Sequence, residues 1–200
     1  GAKGYVKDGK LVVGWMDLGS SKYYFQPNGA MSTGWTDVEV NGSTMHYYFN
    51  PASGNLVRDT WFQIDGKTYY FRPSGNLATG WATISDKGVD KKYYLDESGQ
   101  LLTGWRDIDN GQGQVNHYYF RPSGAMATGW ATIDGVNYWF RPSGNMATGF
   151  ADVDDDYKRY FDQDGHMLTG WQRINNSTYY FRPSGAMQTG KATINGKEYV

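Results

Sequence analysis

A dipeptide that returns at near-constant spacing constrains a chain more than any bulk property. Gly-Trp recurs at Gly14-Trp15, Gly34-Trp35, Gly80-Trp81, Gly104-Trp105, Gly129-Trp130 and Gly170-Trp171. Degenerate copies stand at Thr60-Trp61, Gly149-Phe150 and Gly190-Lys191. Successive anchors are 20, 26, 20, 24, 25, 20, 21 and 20 residues apart. A unit this short cannot enclose a core alone and must bury its apolar face against its neighbours. Residues 1–200 are therefore expected to form a single repeat domain of eight 20–26-residue hairpin repeats and a truncated ninth.

Each unit reads Trp-x-x-aliphatic, a polar turn, Tyr-Tyr-Phe, a Pro-Ser-Gly turn, then Met or Leu before the next Thr-Gly. Two short runs of β-branched and aromatic residues separated by Gly, Asn and Asp predict a β-hairpin. Asp65-Gly66, Asp134-Gly135 and Asn195-Gly196 suit two-residue hairpin turns, whose central residues both need positive φ. Arg72-Pro73-Ser74-Gly75 supplies Pro and Gly where a second turn needs them. The fold class that follows is all-β, with hairpins stacked as a solenoid.

Strand parity assigns the faces. The residue three after each anchor is aliphatic: Leu18, Val38, Ile64, Ile84, Ile108, Ile133, Val153, Ile174 and Ile194. Together with the terminal Phe or Leu of the second strand, and the first Tyr of each pair, these are expected on the buried side. The anchor Trp and the second Tyr have the opposite parity. Trp15 with Tyr24, Trp35 with Tyr48, Trp81 with Tyr94, Trp105 with Tyr119, Trp130 with Trp139, and Trp171 with Tyr180 are thus the candidate ligand-binding aromatics. Packing against the next hairpin is the competing role for any one of them. Grooves between hairpins are expected to expose an indole from one repeat and a second-position Tyr or Trp from a neighbour.

Composition removes several alternatives. Lys and Arg total 19 against 20 Asp and Glu, a balance without the basic footprint of a nucleic-acid binder. No apolar run approaches a membrane span, so no membrane insertion is expected. With no cysteine there is no disulfide, thiolate metal site or thiol nucleophile. The opening Gly1-Ala2, without initiator Met or signal sequence, reads as a piece excised from a larger secreted protein.

No catalytic or metal constellation stands out, and neither enzyme activity nor a cofactor is expected. His46, His117 and His166 lack metal spacing and a nucleophile motif. Asp152 and Asp154–Asp156 form an acidic turn without the Gly and terminal Glu of a calcium loop. Asp162-Gln163-Asp164-Gly165 stands where other repeats place a turn.

Gly-Trp, Tyr-Tyr-Phe, Gly-Ala-Met and Ala-Thr-Gly-Trp at 20-residue spacing resemble the bacterial cell-wall-binding repeat superfamily, over residues 11–200. That superfamily includes choline-binding modules, glucan-binding repeats and toxin receptor-binding repeats. The resemblance implies a left-handed β-solenoid with about three hairpins per turn. It also implies a non-catalytic module that anchors a secreted protein at the cell wall or cell surface, on wall or extracellular polysaccharide.

In the choline branch, the resemblance implies a box of three aromatics and a Met that holds a quaternary ammonium by cation–π attraction. Two aromatics come from one hairpin, the Gly-Trp indole and the residue before Tyr-Tyr; the third comes from the following repeat. Here the pre-Tyr position holds Lys22, His46, Thr68, Lys92, His117, Asn137, Lys158 and Thr178. The departure favours the glucan- and toxin-type branches, with choline or teichoic acid as the alternative partner and a ligand-free spacer as a third reading. The same positions show a longer period: Lys in repeats one, four and seven, His in two and five, Thr or Asn in three and six.

Overall fold

A computed structural model describes residues 4–153 and 157–199. Asp154–Asp156 of the acidic turn lie outside the described residues. The chain divides into two compact units, Gly1–Leu102 and Thr103–Val200.

Among the described residues every strand pairs with its sequence neighbour in an antiparallel hairpin, and no sheet exceeds two strands. In the first unit β1 (Val6–Lys7) pairs with β2 (Lys10–Leu11), and β3 (Gly14–Leu18) with β4 (Ser21–Phe25). There β5 (Gly34–Val40) pairs with β6 (Ser43–Phe49), β7 (Thr60–Ile64) with β8 (Lys67–Phe71), and β9 (Gly80–Asp86) with β10 (Val89–Leu95). In the second unit β11 (Gly104–Asp109) pairs with β12 (Val115–Phe120), and β13 (Gly129–Ile133) with β14 (Val136–Phe140). It continues with β15 (Gly149–Asp152) and β16 (Lys158–Phe161), β17 (Gly170–Ile174) and β18 (Ser177–Phe181), and β19 (Ala192–Ile194) and β20 (Lys197–Tyr199). The all-β architecture of stacked hairpins is the one the repeat implies.

Two hairpins extend the sequence count. The ninth repeat closes as β19–β20 around Asn195-Gly196, with φ of 50° and 76°. A further hairpin, β1–β2, precedes the first Gly-Trp, turned by Asp8-Gly9 at φ of 51° and 73°. The Asp-Gly signal was legible there, but no anchor Trp marks it.

Hairpins join by side chains and single backbone bonds instead of a continuous ladder. Leu56 N–H donates to Lys22 C=O at 2.7 Å, Leu77 to His46 at 2.8 Å, and Leu101 to Thr68 at 2.8 Å. In the second unit Met146 donates to His117 at 2.7 Å and Met187 to Lys158 at 2.8 Å. Each step thus docks the Met or Leu of one repeat beneath the pre-Tyr residue of the preceding one.

The core is segmented accordingly. Phe49, Phe71, Phe120, Phe140, Phe161, Phe181 and Leu95 are fully buried, each removing a large apolar side chain from water. One cluster joins Val38, Tyr47, Phe49 and Leu56; another joins Ala127, Ile133, Phe140 and Met146. The aliphatic positions are buried except Leu18, which is 37% exposed. The hairpin before it has strands of only two residues, so Leu18 lacks a full-length neighbour on that side.

Candidate functional site

The anchor aromatics stand at the surface. Trp35, Trp81, Trp105, Trp130, Phe150 and Trp171 are all exposed, between 36% and 44%. Strand alternation turns them outward while the aliphatic residue three positions later points into the core. Trp15 and Trp61 are half-buried.

The second-position aromatics do not form the facing wall expected of them. Each lies directly across its own hairpin from the anchor: Trp15 opposite Tyr24, Trp35 opposite Tyr48, Trp81 opposite Tyr94. Trp105 likewise faces Tyr119, Trp130 faces Trp139, and Trp171 faces Tyr180. The ring centroids of these six pairs are 5.0–5.3 Å apart. Tyr48 and Trp139 are buried at 8% and 7% exposure. The Trp139 ring packs among Ala147, Ala151, Val153 and Phe161, so it serves as apolar packing. Cross-strand pairing holds these rings behind the anchor.

The facing wall is instead the first Tyr of the following hairpin. Trp15 meets Tyr47 at 4.9 Å between centroids, Trp35 meets Tyr69 at 5.2 Å, and Trp61 meets Tyr93 at 4.9 Å. In the second unit Trp105 meets Tyr138 at 4.9 Å, Phe150 meets Tyr179 at 5.3 Å, and Trp171 meets Tyr199 at 4.8 Å. Interplanar angles of 57–76° make each pair a corner. Parity alone had assigned these Tyr to the core, and Tyr47, Tyr69 and Tyr93 are indeed buried. Solenoid stacking brings such a ring beneath the preceding anchor, where one side of it closes the corner.

The corner at Trp105 opens into a cavity of about 260 Å³, lined by Trp105, Tyr138, Met146, His117, Asp107, Gln163 and Asp164. The rings and the thioether are soft, polarisable walls, and two carboxylates add negative potential. His117 sits at the rim, its Nδ1 2.6 Å from Asp107 Oδ1. The first unit repeats the pairing between His46 Nδ1 and Asp37 Oδ1, also at 2.6 Å. The three-repeat phase therefore puts an Asp–His pair on equivalent cross-strand positions in both units.

The pre-Tyr residues differ elsewhere. Lys22 Nζ lies 5.2 Å from the Trp15 ring centroid. At Trp130 the first-Tyr position is Arg159, only 6% exposed, with its guanidinium 5.6 Å from the indole centroid. Asp162, Asp164 and His166 bring one ligand atom each within 4.8 Å of one another. Asp162 Oδ1 accepts from the N–H of Asp164 at 3.0 Å and of His166 at 2.8 Å, which accounts for this cluster as a turn.

No curated protein matched the chain in the sequence comparison. The choline-binding repeat model matches residues 12–61, 62–103, 102–149, 127–169 and 168–199. This is the branch that the pre-Tyr residues had left as the alternative. Among solved structures the chain is similar to CbpJ of Streptococcus pneumoniae, at 27% identity and TM-score 0.63, covering 100% of this chain and 81% of that one. It is also similar to choline-binding protein F of the same organism, at 28% identity and TM-score 0.59, covering 99% and 87%. A further structure, CbpF in complex with ipratropium, gives 29% identity and TM-score 0.61, covering 99% and 81%. Matched by its repeats along nearly the whole length, the chain belongs to the choline-binding repeat family, as a cell-wall-binding module.

Proposed function

We propose that the corners between an anchor indole and the first Tyr of the next hairpin hold quaternary ammonium groups, and that the module thereby grips choline-bearing teichoic acid. The observation that carries this is the cavity of Trp105, Tyr138 and Met146, with Asp107 and Asp164 at its edge. Aromatic faces and carboxylates attract a cation that cannot donate hydrogen bonds, and Met adapts to its methyl groups. The aromatic missing before Tyr-Tyr leaves one wall to His117, whose ring is itself flat and aromatic. CbpF has been solved with ipratropium, whose nitrogen is a quaternary ammonium, and this supports the same ligand class here.

Several weak corners on one chain give avidity for a polymer that carries many copies of the ligand. On this reading the chain itself is non-catalytic. The module then tethers a secreted bacterial polypeptide at its surface.

Titration of intrinsic Trp fluorescence with choline and with choline-free wall oligosaccharides tests the reading. Saturable binding of several cholines per chain is expected, and free choline should displace the module from choline-bearing walls. Saturation by the oligosaccharides with no response to choline would return the corners to sugar binding.

A further inference from the structure

We propose that two corners carry their own cation as a built-in ligand, Arg159 at Trp130 and Lys22 at Trp15, and so take no external choline. This inference rests on the reading of the corners as ammonium sites.

The register shows what Arg159 replaces. Arg159 pairs with Ala151 across β15–β16, as Tyr138 pairs with Ala131 across β13–β14. It therefore occupies the position from which Tyr138 closes the corner on Trp105. Instead of a second ring, this position sends a guanidinium to within 5.6 Å of the Trp130 centroid. The cavity there, about 340 Å³, is lined by Trp130, Asn137, Arg159, Met167 and Ser184. Against the Trp105 cavity, Arg159 stands in place of Tyr138, Asn137 in place of His117 and Ser184 in place of Asp164. A charge this buried needs compensation. The indole face supplies part, and the Ser184 carbonyl accepts from Arg159 Nε at 3.3 Å. An incoming ammonium would meet a guanidinium already held against the ring it needs.

Lys22 reaches the same end from the other side of a corner. It stands at the pre-Tyr position, across β3–β4 from Asp17, and its ammonium lies over Trp15. Trp15 and Tyr47 are otherwise paired at 4.9 Å as in the open corners. Guanidinium and ammonium satisfy the rings in the way choline would. Choline capacity is thereby set repeat by repeat, by which residue stands at the first-Tyr or the pre-Tyr position.

Equilibrium dialysis of the full chain against labelled choline reads the number bound per chain. Arg159→Tyr is expected to raise that number by one, and adding Trp130→Ala to it should remove the gain. Lys22→Gln is expected to gain one site independently, which keeps the test decisive where Arg159→Tyr fails to fold. Either variant, folded and binding only the wild-type number, would overturn the inference at its corner and leave the open corners standing. Absence of saturable choline binding in wild type and in both variants would sink the corner reading itself, and this inference with it.

Discussion

Trp105 and Tyr138 belong to successive hairpins, yet their ring centroids stand 4.9 Å apart with planes at 71°. No strand pairing joins β11–β12 to β13–β14, so stacking of the repeats alone brings the rings together. If this corner holds an ammonium, Tyr138→Ala weakens that site by roughly 2- to 30-fold, the range of one cation–π wall. Tyr138→Phe keeps the wall and should bind nearly as wild type. Calorimetric titration with choline checks this, and equal affinity in wild type and Tyr138→Ala would take Tyr138 out of the site.

His117 offers the opposite direction of change. Its exposed ring stands at the pre-Tyr position, 2.6 Å from Asp107. Exchange for Tyr supplies the ring that the choline branch places there and frees Asp107 to face the ligand. His117→Tyr is expected to tighten choline binding at this cavity by about 3-fold or more. Weaker binding in the same titration would show that the Asp–His pair, and not an aromatic wall, organises the rim.

Packing between repeats predicts a stability effect at Gly75. Its φ is +90°, and an added Cβ would lie 2.5 Å from Leu56 Cδ2 of the preceding repeat. Backbone strain and collision act together, so Gly75→Ala should cost about 2 kcal/mol or more. Urea unfolding followed by Trp fluorescence measures it. Gly66→Ala is the comparison, with φ of +76° but open space around its Cβ, and should cost less. Equal losses would assign the whole effect to backbone strain.

Acid sensitivity is expected at Asp96. Burial pushes its carboxyl upward, but hydrogen bonds from the Ser98 hydroxyl at 2.6 Å and the Gln100 N–H at 2.9 Å outweigh this. With the Ser98 N–H and the charge of Lys67, they hold the group below its ordinary value. A carboxyl depressed in the folded state contributes stability above its unfolded value and loses it as pH falls through the folded one. Asp96→Ala should therefore lower the denaturation midpoint at neutral pH and flatten its fall in acid. Parallel midpoint-versus-pH curves for the two proteins would contradict this.

Much of the fold was legible in the sequence because hairpins are local. Asp65-Gly66 turns where its positive-φ chemistry requires, with φ of 50° and 76°. Period-two alternation put Ile64 and Phe71 inside and Trp35 outside. The anchor half of each candidate site was readable for the same reason, since a strand fixes which face a side chain takes. The other half was not. Tyr24 and Tyr138 share an aromatic character, but the first backs an anchor across its own hairpin while the second closes an anchor one hairpin away. That distinction depends on the rise and rotation from one hairpin to the next, set by the packing of Leu56, Met146 and their equivalents. Nor does parity reveal that Arg159 fills the corner at Trp130, because the indole belongs to a neighbouring repeat. Strand alternation is a property of consecutive residues and is written in the chain; the meeting of rings from separate repeats exists only after the hairpins have stacked.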